Sequence, residues 1–307
     1  MSDSFHDVVN YVIPPIVLLV GLAGNIVGFL VFFGNKNMAK IGPGLTYLLL
    51  FSTDTIYLLQ IIIIYLAYAF NLNLLTYTDL SCKIYIYFNY ALDALSPFLL
   101  VYISIEKYFS IYLSSQKLRS IKFQLIYFFI LLFFNLTVSI VHPFSYSLKS
   151  YSTPNSTNSV NNSELLVCDF NSYSGQLISS YLDFINRAVV PYILMFVFST
   201  LLIISIFKSR NRTRSATQNR YFKKDVIFSI TSFLMNLTFI LLNLPLSVVL
   251  FLPDIYVNSF DIFLLTFYIY YLSYGCNFYV LYITNSIVRK ESKRNFFKKS
   301  AATYTHN

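Results

Sequence analysis

The chain has 307 residues, of which 56% are hydrophobic and 11% charged, with a mean hydropathy of +0.61 and a formal net charge of +9. Soluble domains carry about 25% charged residues, so the composition excludes an ordinary soluble protein and implies one that lives in a bilayer. The basic excess needs no nucleic-acid partner, because it gathers on one side of the expected spans, where anionic lipid attracts it.

Long intervals without Asp, Glu, Lys or Arg run over residues 8–35, 123–148, 188–207, 226–253 and 262–288. A helix crosses the hydrocarbon core with ~20 apolar residues, and in lipid its backbone satisfies its own hydrogen bonds. Two further intervals reach that length only with Asp54, Asp93 and Glu106 inside or at the edge of the bilayer. The residues therefore predict one domain, 1–307, an all-α membrane protein with a seven-transmembrane helix bundle. Its spans fall at about 9–34, 44–69, 82–113, 121–142, 178–208, 223–250 and 259–284. The first ten residues lack the basic region of a signal peptide, so the first span is expected to be retained. Beyond the last span, Ile287, Val288, Phe296 and Phe297 alternate with basic residues. That mixture predicts a short amphipathic surface helix over 285–299, lying on the bilayer.

With seven spans, 19 of the 22 Lys and Arg residues fall on one side; only Lys83, Lys149 and Arg187 lie toward the other. The positive-inside rule then places the N-terminus outside and the C-terminus in the cytoplasm. Cys82 and Cys168 both face the oxidising side, and Cys276 lies within the last span. A Cys82–Cys168 disulfide is the economical reading, with two unpaired thiols as the alternative. The polar run after His142 carries Asn155 and Asn161 in glycosylation sequons on the outer side. Asn135, Asn211 and Asn236 match the pattern too, but lie in spans or in the cytoplasm.

Several residues inside the spans carry a resemblance. Asn25 in GLAGNIVGF, Asp54 in LLLFSTDTIYLL, Cys82 opening the third span and Glu106-Lys107-Tyr108 closing it resemble, in order and spacing, the rhodopsin-like (class A) G-protein-coupled receptors. Pro143, Pro191 and Pro245 stand where that family keeps span prolines, and CNFYVLYITNSIVRKE is similar to its seventh span and surface helix. In overall look the chain is similar to invertebrate neuropeptide receptors of the FMRFamide-like kind. It departs from the pattern at Phe133 for a Trp, Asn243 for the sixth-span aromatic, Lys107 for Arg, and Phe278 for a Pro; the tyrosine of that motif falls one residue late, at Tyr282.

The resemblance implies roles. At 1.5 Å per residue the third span carries the chain ~37 Å from Cys82 to Lys107, from one surface to the other. Glu106, Lys107, Tyr108, Asp225, Asn277 and Tyr282 are then expected in the switch that a heterotrimeric G protein engages, with Lys107–Asp225 as an inner lock. Lysine, a point charge without the arginine fork, makes that lock less directional. Asp54 lies mid-membrane, where a carboxylate marks function. With Ser96, Ser273 and Asn277, and Asn25 nearby, it is similar to the family's sodium pocket, and no other cofactor is expected.

Asn89 and Asp93 share a helix face in the ligand cavity the family implies, joined by Asp183 and Arg187, spaced for pairing, and by Phe267 and Tyr271. Asn89 stands where amine receptors hold an Asp, which argues against a monoamine. The expected function is a plasma-membrane receptor for an extracellular ligand, a small neuropeptide; the alternative is a chemosensory receptor for a small environmental molecule. A transporter would show inverted repeats or paired broken helices. An enzyme is not expected, since His6, His142 and His306 are scattered; a light-sensing opsin is excluded, because the last span has no lysine to hold retinal.

Overall fold

The computed structural model describes residues 3–34, 44–70, 78–112, 120–151, 165–210, 216–250 and 260–294. Among them seven long helices form a bundle. Helix α1 comprises Asp3–Asp7, a π-helical turn Val8–Val12, and Ile13–Phe33. Helix α2 runs Gly44–Leu58 and Gln60–Phe70, broken at Leu59, and α3 runs Asp79–Asp93 and Leu95–Tyr112, broken at Ala94. Helix α4 is Ile121–Ser139, followed by a short turn of helix, His142–Ser145. Helix α5 joins Tyr173–Phe184, a π-helical turn Ile185–Val189, and Val190–Arg210; α6 is Ala216–Leu250 and α7 is Phe260–Thr284. A shorter helix, α8, covers 286–294.

Side chains mark where the helices begin. Thr78 and Ser81 form a reciprocal capping box at the head of α3, Ser120 caps α4 and Ser172 caps α5. Asn285 Oδ1 accepts from Ile287 and Val288 N–H at 3.0 and 3.3 Å, which turns the chain from α7 into α8. Both π-helical turns lie just before a proline, Pro14 and Pro191. A proline ring clashes with the carbonyl four residues back and lacks an N–H for it; widening that turn relieves both.

Six of the seven long helices are apolar and long enough to cross a membrane by composition alone. Helix α7 is not, because tyrosines dilute it, yet Tyr268, Tyr270, Tyr271 and Tyr274 are buried in the bundle. This helix packs against α6, α1 and α2, while α3 packs against α5, α6 and α4. Gly21 and Gly24 of α1 bring that helix against Gly275 of α7, and Asn25 Nδ2 donates across the contact to the Tyr274 carbonyl at 3.1 Å.

Between α4 and α5 stands a structure that the polar composition gave no hint of: an antiparallel hairpin of β1 (Tyr146–Tyr151) and β2 (Leu165–Phe170), with Leu148 opposite Cys168. The Ser- and Asn-rich run with Asn155 and Asn161 lies outside the described residues.

Candidate functional site

Cys168 on β2 is bonded to Cys82 on α3, Cα to Cα 5.6 Å, which pins the hairpin to the end of the bundle. Beneath it lies a cavity of about 250 Å³, lined by residues of α2, α3, α5, α6, α7 and the hairpin, among them Asn89, Asp93, Asp183, Arg187, Phe267 and Tyr270. Five of the six expected ligand residues thus meet at one cavity. The sixth, Tyr271, stacks flat on Tyr57 at 5.0 Å and is fully buried behind the wall; its neighbour Tyr270 lines the space instead.

The charged centre of the cavity follows from two prolines. The π turn before Pro191 buries three successive residues, Asn186, Arg187 and Ala188, and so swings Arg187 into the bundle. Its Nε lies 3.1 Å from Asp183 and 3.4 Å from Asp93, and its guanidinium covers the Tyr270 ring at 4.6 Å. On α3, Pro97 has no N–H to offer the Asp93 carbonyl four residues back. The Tyr274 hydroxyl lies 2.9 Å from that carbonyl and 2.7 Å from Asp93 Oδ1, so one tyrosine of α7 satisfies the group that the proline leaves open.

Sequence reasoning passed over the adjoining polar wall. His142 stacks on Tyr90 at 3.8 Å and meets Ser179 at 2.6 Å, while Tyr90 reaches Tyr146 of the hairpin at 2.9 Å. Its signal was weak: a lone histidine before Pro143.

At mid-bundle Asp54 is fully buried, with Oδ2 accepting from Asn277 Nδ2 at 2.8 Å. Ser96 stands beside the carboxylate, within reach of a hydrogen bond to it. Ser273 is engaged elsewhere, donating to the Tyr270 carbonyl at 2.7 Å and accepting from Asn243 at 3.0 Å. Asn243, in the place of an aromatic, thereby ties α6 to α7. Farther along, Asn236 of α6 donates to Ser104 of α3 at 2.8 Å and to Ser199 of α5 at 3.0 Å.

At the end away from the disulfide, Glu106 accepts from Gln124 of α4 at 3.2 Å. Lys107, expected at a hydrated interface, is instead fully buried, its Nζ 4.8 Å above the Phe228 ring of α6. The rise of α3 carries Lys107 to the end of the helix away from Cys82, and there α6 packs over it through Phe228. Tyr108 is half-buried and stacks on Tyr112, and Tyr282 lies 5.8 Å from the Phe278 ring. The side chain of Asp225 lies outside the described residues, and the expected lock with it.

No curated protein matches the chain. A family model, 7 transmembrane receptor (rhodopsin family), matches residues 24–277, an interval that holds Asn25, Asp54, the disulfide, the buried charge cluster and Asn277. The chain belongs to the rhodopsin family of seven-transmembrane receptors.

Proposed function

We propose that this receptor takes a small extracellular neuropeptide at the disulfide end and, at the Lys107 end, activates a heterotrimeric G protein. The observation that carries the reading is the Asp93–Arg187–Asp183 cluster, buried in a cavity roofed by the disulfide-tethered hairpin. Ionisable groups within a membrane protein are costly and mark sites of function. The charge asymmetry of the loops supports an outward N-terminus and a cytoplasmic C-terminus. Ligand binding would act by preferring one of two bundle arrangements, with Lys107 and Phe228 at the contact between α3 and α6 that must rearrange.

The small volume of the cavity favours the second reading, a chemosensory receptor for a small molecule. One screen separates them. Cells displaying the receptor, with reporters for several G-protein pathways, should respond to members of a neuropeptide library. Responses confined to odorant-like molecules would move the assignment to the second reading, and silence to both from a surface-expressed receptor would remove it.

The residues around Asp54 fit a sodium ion. Asp54 and Ser96 set buried oxygens side by side with no cation near them among the described residues, and Asn277 orients the carboxylate. Asp54, Ser96 and Asn277 would hold the ion, which would supply the missing countercharge. Exchanging choline chloride for sodium chloride should raise the melting temperature of the wild type and leave Asp54→Asn unmoved; equal responses would eliminate the ion.

A further inference from the structure

We infer that the cavity anchors a cationic nitrogen lying next to a neutral carbonyl, as at the N-terminal residue of a peptide. The inference rests on the receptor reading above and names the end of the ligand that enters.

The first argument is charge. Of the residues lining the cavity, Asp93 and Asp183 are the acids and Arg187 the base, so two carboxyl groups share one guanidinium. The formal balance is negative, and a buried charge without a partner is costly. Of the two Asp183 oxygens, only Oδ2 takes a hydrogen bond from the described residues. A ligand cation would complete the balance.

The second argument is an open donor. Arg187 is 2% exposed, and its Nη1 has no hydrogen-bond partner among the described residues. It needs an acceptor, and a carboxylate there would add a further negative charge to the two already present. A neutral carbonyl meets the need without that repulsion.

The third is the remaining surface. Asn89 Oδ1 is a buried acceptor with no partner among the described residues, so Asn89, Asp93 and Asp183 offer acceptors to an ammonium, which has three N–H donors. Tyr90, Phe170, Phe263 and Phe267 add aromatic walls, whose faces attract cations. The volume, about 250 Å³, is below the roughly 300–1,000 Å³ of sites for drug-sized ligands. It suits one terminal residue rather than a length of peptide.

The test uses the full chain purified in detergent and four probes: L-phenylalaninamide, N-acetyl-L-phenylalaninamide, L-phenylalanine and N-acetyl-L-phenylalanine. Phenylalaninamide, the one with an ammonium and a neutral carbonyl, should raise the melting temperature and bind most tightly. Removing its charge by acetylation should weaken binding roughly thirtyfold or more, and the acetylated acid should not bind. Asp93→Asn and Asp183→Asn should each weaken phenylalaninamide binding; if either variant does not fold, the ranking of the four probes on the wild type decides. Equal or tighter binding of an acetylated probe, or no binding of any probe, overturns the inference. A receptor that signals to peptides yet ignores phenylalaninamide sinks this inference alone. One that binds phenylalaninamide through Asp93 yet answers no peptide sinks the neuropeptide reading alone.

Discussion

Replacing Arg187 with methionine should destabilise the folded receptor by roughly 3–5 kcal/mol, the cost of leaving buried charge without its partner. Methionine keeps much of the apolar stem but leaves Asp93 and Asp183 facing each other across the space that the guanidinium fills at 3.4 and 3.1 Å. The Tyr270 face also loses its cation. The origin of the loss is testable, because neutralising both acids removes the repulsion. Arg187→Met combined with Asp93→Asn and Asp183→Asn should recover most of the lost stability, since a buried ion cluster replaced as a whole is often neutral or stabilising. Thermal unfolding in detergent and the fraction of receptor at the cell surface give the readout. A single variant as stable as the wild type would mean that the three groups are not held together in the bilayer.

The spans were readable because a membrane imposes a coarse rule: charge-free stretches of sufficient length. That rule weakens for α7, where the residues that make it an interior helix, Tyr268, Tyr270, Tyr271 and Tyr274, also lower its hydropathy. The Asp183–Arg187 pair was visible from its four-residue spacing, whereas its third member was not. Asp93 joins only because the π turn before Pro191 rotates Arg187 inward, and a local widening of a helix leaves no periodic trace. The same turn-by-turn sensitivity moves Tyr271 out of the cavity wall and Tyr270 into it. Asn236 was set aside as a glycosylation site on the ground that it lies in a span, which its burial agrees with. Its bonds to Ser104 and Ser199 were out of reach, since single polar residues on three helices reveal a link only once their facing sides are known. Lys107 illustrates the opposite limit: helix rise places it at the far end of α3 from Cys82, while its burial depends on the neighbour packed over it.

Enlarging Gly275 should be the most damaging small change in the bundle. A Cβ there would stand 2.5 Å from the Gly21 Cα, a backbone atom that cannot turn aside. Close helix approach through small residues is how membrane helices gain packing without a hydrophobic drive between them, and α7 depends on it. Gly275→Ala must push α7 from α1, at about 1–3 kcal/mol for overpacking, and Gly275→Leu should leave little folded receptor. The neighbouring Gly21→Ala should cost less, because its Cβ meets the movable end of Leu58 at 2.7 Å and the Gly275 Cα at 3.3 Å. The displacement would reach both candidate sites, since Tyr274 holds Asp93 and Asn277 holds Asp54 within two residues of Gly275. Melting temperatures should therefore fall in the order wild type, Gly21→Ala, Gly275→Ala, Gly275→Leu, and Gly275→Ala should also blunt the stabilisation by sodium proposed above. If Gly275→Ala melted with the wild type, α1 and α7 would not be in backbone contact, and the placement of Tyr274 and Asn277 would have to rest on the hydrogen bonds alone.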